Sequence, residues 1–324
     1  MPLVSVLLPV YNGAAFVRGA IESVLAQTFK DFEFIIVDNA STDGTNEIIR
    51  EYTKDGRIKL FRNEETIFRL ENFMKVASYA SGESRWLKYI GADDILFPHC
   101  LEKMVQAASL GENIGIVSSQ CYDGERLLLG SLSPEETVVR GPLFLRRLLL
   151  EEETRETIFS PASLMLSHEA FLRHGGFRTD LYHSDTELFY LILNDYDLAF
   201  VHSPLSRTGQ NPGSGMSYCL EQGTPFSEGY IMLYDNLKRY SNVQLKCWEV
   251  ERIKYGLAVD STGFLLRKIR QGNFKAVLSH LKQVPLAVSY HFIPALFYFL
   301  FLAVKKLFRR EPFKIMAVKE EEQS

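Results

Sequence analysis

The first ninety residues alternate short apolar runs with segments whose apolar residues recur at helical spacing. One run, residues 32–37, is apolar at every position except Glu33, as expected of a strand covered on both faces. Repeated strand–helix–strand units form parallel sheets with right-handed crossovers, so the pattern predicts an α/β fold. The predicted strands are residues 4–9, 32–37, 58–61 and 85–90, and the predicted helices lie at 16–25, around 48–52 and at 68–79.

The alternation loosens after residue 94. Residues 124–140 are polar and are interpreted as a loop, and the Gly- and Pro-containing stretch at 210–215 is interpreted as a domain edge. We therefore expect a catalytic domain at residues 1–215 and a helical C-terminal region at 216–324. Further strands are predicted at 114–119, 158–166 and 198–202, and further helices from about Pro98 and at 142–150, 168–173 and 186–194.

Charge is distributed unevenly along the 324 residues. The net charge is −4, yet residues 261–310 contain nine Lys and Arg residues and no Asp or Glu. One-sign charge beside apolar residues is typical of a segment that contacts an anionic bilayer. We therefore expect peripheral contact with an anionic membrane, which would place the protein in the cytoplasm at the inner face of the cell membrane.

The stretch at residues 284–304 is uncharged and long enough to cross a bilayer. It contains Pro285 and Pro294, and basic residues flank both of its ends. A single span would translocate one basic cluster, against the positive-inside tendency. Helices lying in the interface, or a shallow re-entrant hairpin, are therefore favoured over a span, and a helix packed on the catalytic domain is the other alternative.

The cysteines and the N-terminus agree with a cytosolic protein. The four cysteines are scattered without a close pair, which is typical of reduced thiols and not of a zinc site or a disulfide framework. The apolar run at residues 3–10 is short, lacks a basic leader and is broken by Pro9, so a signal peptide is not expected.

Two adjacent carboxylates, Asp93 and Asp94, follow the predicted strand at residues 85–90. Open α/β sheets bind ligands at the carboxyl ends of their strands. Paired hard oxygen donors suit Mg²⁺ or Mn²⁺, which in turn suit a phosphate-bearing substrate. The alternative is that the pair caps the helix that starts near Pro98.

The loops after the first two strands offer a second group of candidates. The first loop has no Gly-x-Gly-x-x-Gly or Gly-Lys-Ser/Thr turn and carries Tyr11 and Asn12, which could stack on and hydrogen-bond to a base. Alternatively, Tyr11 packs and Asn12 caps the next helix. The second strand ends on Asp38, which could bind an imide N–H or a ribose hydroxyl, since Ser41 and Asp43 are available to cap the following helix.

Three segments resemble the signatures of family 2 glycosyltransferases: VSVLLPVYNG at 4–13, IVDNASTDGT at 36–45 and GESRWLKYIGADDILFP at 82–98. The resemblance covers roughly residues 3–210. It implies a GT-A fold, which is a Rossmann-like, mostly parallel sheet flanked by helices. It also implies an inverting enzyme that uses a nucleotide-diphospho-sugar.

The resemblance assigns roles to the donor-side residues. Pro9, Tyr11 and Asn12 would line the base pocket, and Asp38 would contact the base or the ribose. Asn39 stands where a second aspartate is common, and an amide should be tolerated there.

The same resemblance makes Asp93 and Asp94 the ribose and metal end of an Asp-x-Asp-type motif. Gly91 occupies the place where many members carry the first carboxylate. Asp94 is therefore expected to be the direct metal ligand, with Asp93 as a ribose contact or a water-mediated ligand.

A later landmark of the family is Gly-Gly-Phe followed by an acidic pair that opens a helix. Here Gly-Gly-Phe stands at 175–177, and Asp185 matches the position of the general base, with Glu187 as its acidic neighbour. The alternative is that Asp185 is only a charge favoured at a helix N-terminus. The family's Arg-x-His is incomplete, which leaves Arg207 as the candidate for the diphosphate; His202 is interpreted as packed in a strand.

The implied activity is metal-dependent hexosyl or deoxyhexosyl transfer to an acceptor hydroxyl in bacterial-type surface polysaccharide or glycolipid synthesis. A UDP- or dTDP-linked donor and a glycan or lipid-linked glycan acceptor are expected, and no nucleic acid. One alternative is a non-catalytic sugar-nucleotide-binding scaffold. Another is a sugar-nucleotide nucleotidyltransferase, which would need a Gly-rich, basic loop after the first strand. The transferase interpretation requires Asp38, Asp93, Asp94 and Asp185 to line one cleft.

Overall fold

A computed structural model describes residues 2–130, 132–151, 161–181, 183–209, 232–233, 235–274 and 277–278. The chain divides into two compact units. The described part of the first unit runs to residue 209 and resumes at 235–246, and that of the second is 232–233, 247–274 and 277–278. The predicted domain edge at 210–215 lies outside the described residues.

The first half of the sheet is parallel, as the alternating pattern predicts. β1 pairs with β2 on one side and with β4 on the other, and β3 pairs with β2. The carboxyl ends of these strands therefore meet at one edge of the sheet. The elements are β1 (Val4–Val10), α1 (Val17–Leu25), β2 (Phe32–Asp38), α2 (Thr45–Arg50), β3 (Ile58–Arg62), α3 (Arg69–Ser78) and β4 (Trp86–Tyr89).

The second half of the sheet is mixed. β9 lies between β4 and β6 and is antiparallel to both, while β10 runs parallel to β6. The strand order is β3-β2-β1-β4-β9-β6-β10-β5, with β7 on β6 and β8 on β10. The elements are β5 (Ile95–Leu96), α4 (Cys100–Ala108), β6 (Ile114–Asp123), β7 (Arg126–Leu128), β8 (Val138–Val139), α5 (Gly141–Leu149), β9 (Leu164–Ser167), α6 (His168–Arg173), α7 (Ser184–Asp195) and β10 (Asp197–Thr208).

The α/β fold is confirmed, and three strand predictions need correction. The segment at 124–140 is not all loop, because it contains β7 and β8. β10 extends beyond residue 202 to Thr208, since its polar end pairs with β5 and β6 through several register shifts. β9 starts only at Leu164, after a single 3₁₀ turn at Pro161–Ser163, and residues 158–160 lie outside the described residues.

The core forms where β1 and β2 are covered on both faces. Every residue of these two strands is buried. Leu8, Phe34 and Ile36 pack in one cluster with Ile21 and Val24 of α1. Full burial of one such side chain stabilises the fold by about 1.5–3 kcal/mol. The close packing of these side chains thus fixes the positions of the carboxyl ends of β1 and β2.

A lysine lies at the centre of the sheet. Lys88, in the middle of β4, is fully buried, and its Nζ donates to the carbonyl oxygens of Ala162 at 2.6 Å and Leu164 at 2.9 Å. Burial lowers the pKa of Lys88 because it disfavours the charged ammonium. Lys88 therefore fixes the entry into β9 against β4.

The described part of the second unit is dominated by one helix, α8 (Cys247–Arg270). Ile253, Leu257, Ala258 and Phe264 are buried, while Leu266 and Ile269 near its end are exposed. Among the described residues, no helix combines the length and the apolar character that a membrane crossing requires. The uncharged stretch at 284–304 lies outside the described residues.

Candidate active site

The loops that follow β1 and β2 are joined by reciprocal hydrogen bonds. The backbone N–H of Asn12 donates to Ser41 Oγ at 2.9 Å, and the backbone N–H of Thr42 donates to Asn12 Oδ1 at 2.9 Å. The next residues add two bonds, from Gly13 N to Thr45 Oγ1 and from Ala14 N to Asp43 Oδ2, each 2.9 Å long. The two loops therefore form one connected surface.

These bonds show that Asn12 does not cap the next helix, which was one of its two interpretations. Its backbone has a φ of 49°, in the left-handed region that Asn tolerates better than most residues. Ala40, in the facing loop, has a φ of 57°. Tyr11 does not pack in the core either, because 53% of its surface is exposed beside the loops. Pro9 is buried within β1, opposite Val37 of β2.

Asp38 is fully buried at the end of β2. Its Oδ1 accepts from the backbone N–H of Ser41 at 3.0 Å, so Asp38 fixes the turn that follows β2. The start of α2 is held separately, by Asp43 Oδ1, which accepts from the backbone N–H of Thr45 at 3.1 Å. Its Oδ2 lies 3.4 Å from Arg62 Nη1 and receives no hydrogen bond within the described part of the chain. The Oδ2 atom keeps acceptor capacity at the edge of the sheet.

Asn39 holds the segment that leads into α3. Its Oδ1 accepts from Asn63 Nδ2 at 2.7 Å and from the backbone N–H of Ile67 at 3.0 Å. Its Nδ2 donates to the carbonyl of Ile67 at 2.9 Å. A carboxylate could not make that last bond, because an ionised carboxylate only accepts. The amide at position 39 is therefore required by its surroundings and not merely tolerated.

The paired aspartates lie in a tight turn after β4. Asp94 is 7% exposed, and its two carboxylate oxygens accept from two backbone N–H groups: Oδ2 from Gly91 at 2.7 Å and Oδ1 from Gly209 at 3.2 Å. Burial raises the pKa of Asp94, and the charge of Asp93 adds to the rise, while the two N–H groups act in the opposite direction. Asp93 is half-buried.

Gly91 makes this turn possible. A β-carbon at position 91 would lie 2.8 Å from Asp94 Oδ2 and 3.1 Å from Asp93 Oδ1. A carboxylate at position 91 would therefore require the side chains of Asp93 and Asp94 to move from their positions in this turn. The pair does not cap the following helix, since His99 precedes α4 and its N-cap receives no side-chain bond.

The turn touches the loop after β1. A β-carbon at Gly13 would lie 3.1 Å from Cβ of Ala92, and the backbone N–H of Ile90 donates to Leu7 of β1 at 3.0 Å. The structure thus brings together the predicted donor-binding loops and the paired aspartates.

Asp185 lies in the first turn of α7 and lines a cleft that is partly open to solvent. Tyr89, the last residue of β4, also lines the cleft and stands four residues before Asp93. Asp185 is therefore placed beside the end of the strand that leads into the aspartate pair. Its Oδ1 accepts from the backbone N–H of Thr186 at 2.7 Å.

Glu187 anchors the same helix turn and is only 2% exposed. Its Oε1 accepts from Asn236 Nδ2 at 2.8 Å and from Arg239 Nη1 at 3.2 Å, and Arg178 Nη1 lies 3.4 Å away. A buried carboxylate needs such partners, because charge taken out of water is costly when it is unpaired. The sequence singled out Glu187 but gave no signal for these three partners, two of which come from residues 235–246.

Arg207 lies in β10, opposite Ile95 of β5. Its Nη1 is 3.3 Å from Glu125 Oε1, and its guanidinium lies over the ring of Tyr122 at 5.5 Å. It precedes Gly209, the backbone partner of Asp94, by two residues. His202 is half-buried in β10 with Nε2 3.0 Å from the carbonyl oxygen of Glu136, as expected of a packed histidine.

Comparison with known proteins identifies the family. The sequence model of Glycosyl transferase family 2 matches residues 5–175, more than half of the chain. The chain belongs to glycosyltransferase family 2. This family 2 protein is 36% identical over 140 residues to an uncharacterised glycosyltransferase of Methanocaldococcus jannaschii, a match that covers 42% of this chain and 48% of the relative.

A second relative of this family 2 protein is a putative teichuronic acid biosynthesis glycosyltransferase, TuaG, of Bacillus subtilis. The identity is 28% over 172 residues, covering 52% of this chain and 63% of TuaG. The matches thus span less than two thirds of the length of these curated relatives.

Two solved structures share the fold of the family 2 protein. TarS 1–349 of S. aureus, in complex with UDP-GlcNAc, aligns with a TM-score of 0.64 at 17% identity, covering 90% of this chain and 84% of TarS 1–349. The mannosyltransferase PcManGT of Pyrobaculum calidifontis, in complex with GDP-Man and Mn²⁺, aligns with a TM-score of 0.56 at 16% identity, covering 95% and 81%. The expected GT-A fold is confirmed.

The bridge made by Asn12 gives a stability prediction for this glycosyltransferase. Asn12→Ala removes the acceptor for Thr42 and places alanine in the left-handed region, so we expect the free energy of unfolding to fall by about 1–3 kcal/mol. Asn12→Asp keeps an acceptor and should remain within about 0.5 kcal/mol of the wild type. Urea unfolding measures both. Equal unfolding midpoints for the Ala and Asp variants would show that the bridge carries no stability.

Proposed function

We propose that this chain transfers a sugar from a nucleotide-diphospho-sugar to an acceptor hydroxyl with inversion of the anomeric configuration. The observation that carries the proposal is that the interlocked loops after β1 and β2 and the aspartate pair after β4 lie together at one edge of the sheet. Asp185 and Tyr89 line a cleft whose described lining does not include Asp38, Asp93 or Asp94, so the approach of Asp185 to the donor site is part of the proposal. Complexes of the structural neighbours with UDP-GlcNAc and GDP-Man support a nucleotide-sugar donor. The relation to TuaG supports a role in surface polysaccharide synthesis.

The donor's nucleoside would bind along the interlocked loops. Tyr11 offers an exposed ring on which a base can stack, beside Asn12 and the end of the strand that contains Pro9. The buried Oδ2 of Asp38 offers an acceptor to a base imide or a ribose hydroxyl. Uridine and thymidine diphosphates both carry such an imide, so UDP- and dTDP-sugars are the proposed donors.

The diphosphate would lie over the aspartate pair with Mg²⁺ or Mn²⁺. Mg²⁺ sites commonly use one or two carboxylates together with substrate phosphates, and the pair fits that donor set. Asp93 is the more exposed carboxylate, and Asp94 is held by Gly91 and Gly209. We therefore assign the direct contact to Asp93 and give Asp94 the role of fixing the turn, although the sequence favoured the reverse.

Two further points complete the diphosphate site. When bound, the cation would neutralise charge on the departing diphosphate. Arg207 remains a candidate for the diphosphate because it is near Gly209, and its guanidinium would first have to leave Glu125.

In the proposed step, Asp185 accepts the proton of the acceptor hydroxyl. The hydroxyl oxygen forms the new bond to the anomeric carbon while the bond from that carbon to the diphosphate oxygen breaks on the opposite face. One displacement inverts the configuration, and no sugar–enzyme intermediate forms. Glu187 does not react; its contacts with Asn236 and Arg239 hold the turn that carries Asp185.

A non-catalytic sugar-nucleotide-binding protein is the second candidate. The observations in its favour are that Gly91 stands where many family members carry the first carboxylate and that the Arg-x-His is incomplete. A scaffold would bind nucleoside diphosphate and never turn over a donor.

The first prediction from this function concerns Asp185. Wild-type protein incubated with a panel of UDP- and dTDP-sugars and Mn²⁺ should release nucleoside diphosphate, while Asp185→Asn should lower kcat by about 10²–10⁴ because the proton acceptor is lost. Donor affinity, measured by calorimetry, should change by less than about twofold, since Asp185 does not contact the nucleotide. Asp31→Asn, at an exposed position, is the matched control. Unchanged turnover in Asp185→Asn would remove Asp185 from its role, and no turnover of any donor by wild type would favour the scaffold.

The second prediction separates the two aspartates. Asp93→Asn should raise the Mn²⁺ concentration needed for half-maximal binding in the presence of UDP by about tenfold or more, because it removes the direct oxygen ligand. Electron paramagnetic resonance of Mn²⁺ measures this without turnover. Asp94→Asn should instead mainly lower the urea midpoint, since one of its two backbone bonds is lost. A larger loss of Mn²⁺ affinity in Asp94→Asn than in Asp93→Asn would restore the order that the sequence favoured.

We also propose that the second unit contacts an anionic membrane surface, at the cytoplasmic face, where a lipid-linked or membrane-proximal glycan would be the acceptor. Near the end of α8, Leu266 is 39% exposed and Ile269 is 47% exposed. Arg267, Lys268 and Arg270 lie among them, in a stretch without acidic residues. Apolar and basic side chains together favour the interface of an anionic bilayer.

The membrane contact gives the third prediction. Full-length protein should sediment with vesicles containing phosphatidylglycerol and not with phosphatidylcholine vesicles, and high salt should weaken the binding. The double variant Leu266→Ser/Ile269→Ser should lose at least half of the sedimented protein. Leu110→Ser, at a 58% exposed position in the first unit, should have no effect. Equal sedimentation of both variants would contradict the assignment to α8.

A further inference from the structure

The cleft beside Asp185 is lined almost wholly by apolar side chains. Its main surface is formed by five side chains from separate elements: Phe73 of α3, Tyr89 of β4, Leu164 of β9, Phe189 of α7, and Phe177 from the segment before α7. Within the part of the chain that the structure describes, Arg69 and Asp185 are the charged residues that line it. A cleft of this composition suits an apolar substituent of a sugar better than it suits the hydroxyl groups that most sugar carbons carry.

The described residues that line its interior offer few hydrogen-bond partners. The hydroxyl of Tyr89 already donates to the backbone carbonyl of Phe73 at 3.1 Å. A sugar hydroxyl placed among Leu164, Phe177 and Phe189 would lose its water without a replacement from these side chains, at a large cost. A methyl group would gain from the same move, because it leaves water for an apolar surface.

The walls are fixed before any ligand binds. The rings of Phe73 and Tyr89 stack at 5.6 Å, and Phe177 meets Tyr89 edge-on at 5.4 Å. Gly176 has a φ of 68°, and a β-carbon there would lie 2.7 Å from the side chain of Met74, so glycine is needed to bring Phe177 into place. Lys88 holds Leu164 through its carbonyl oxygen. The cleft is therefore a preformed apolar pocket and not a gap that collapses.

We propose that this pocket receives a methyl group carried by the acceptor sugar, either the methyl of an N-acetyl group or the C6 methyl of a 6-deoxy sugar, while the reacting hydroxyl reaches Asp185. The proposal deepens the proposed function and rests on it, because it takes Asp185 as the base that faces the acceptor. The shared chemistry is one small apolar substituent on an otherwise polar ring. The pocket thus selects among acceptors by the presence of that methyl.

Pairs of acceptors that differ at one substituent test the proposal. The probes are the methyl glycosides of N-acetylglucosamine and glucose, and of rhamnose and mannose. Within at least one pair, wild-type protein should favour the methyl-bearing acceptor in kcat/KM by about fourfold or more, the value expected for burying one methyl. The two pairs distinguish the acetyl methyl from the deoxy methyl.

Two pocket variants sharpen the test. Leu164→Phe adds bulk inside the pocket and should abolish the preference, whereas Phe73→Leu enlarges the pocket and should shift the preference from N-acetyl towards N-propionyl. Phe68→Leu is the matched control, since Phe68 is 52% exposed and does not line the pocket. Should Leu164→Phe fail to fold, the shift expected of Phe73→Leu still decides the question.

A readout without turnover separates this proposal from the proposed function. In saturation-transfer NMR with UDP present, the methyl protons of the bound probe should receive the strongest saturation, and Phe73→Leu should reduce it while Phe68→Leu leaves it unchanged. Methyl saturation without any transfer would keep the pocket and overturn the transferase. Transfer without preference within either pair and without methyl saturation would overturn the pocket and keep the transferase. Absence of both would overturn both.

Discussion

The carboxylate of Asp94 joins two distant parts of the chain at the site. It accepts from Gly91, at the end of β4, and from Gly209, just after β10. Hydrogen bonds to an ionised acceptor stabilise a fold by roughly 1.5–3 kcal/mol each. These bonds close the turn that presents Asp93, and the same turn touches Gly13 in the loop after β1. The position of the aspartate pair therefore depends on this one side chain and on Gly91 and Gly209, whose backbone N–H groups it binds.

Buried ionisable side chains with several hydrogen-bond partners hold the elements around the site in position. Glu187 is held by an amide and two guanidinium groups, and Lys88 by two carbonyl oxygens. A buried ionisable side chain and its partners add little to the net stability of the fold, because the cost of removing them from water opposes their mutual attraction. Removing one partner is nevertheless costly, because the other is then left buried and unpaired. The arrangement penalises alternative positions of α7 and β9 more than it stabilises the native one. Asp185 and Leu164, which border the apolar pocket, are held in place by these neighbours.

Local patterns explain how much of this could be predicted. The parallel half of the sheet could be predicted from nearly continuous apolar runs and from helical spacing, because a strand that is buried on both faces has apolar residues at almost every position. No such apolar run identifies β7, β8 or the end of β10. These segments are short or polar, and they form strands because they pair with residues elsewhere in the chain.

The site divides in the same way. Asp38, Asp93, Asp94 and Asp185 were recognisable from their positions after strands or at a helix start, and their roles stay proposals. The bridge from Asn12 to the second loop was not recognisable, nor was the contact between Asp94 and Gly209, which are 115 residues apart. The exchange of roles proposed for Asp93 and Asp94 likewise depends on how deeply each side chain is buried, which cannot be predicted from two identical neighbouring residues.

The reciprocal bonds between the loops after β1 and β2 bear on how a nucleotide would be discriminated. Because each loop holds the other, their conformational entropy is lost when the protein folds and not when a ligand arrives. A nucleotide would meet a contour of fixed shape, with no closing movement of these loops available to improve the fit of the correct base or to reject a wrong one. Selectivity at this end of the donor would then come from complementarity alone.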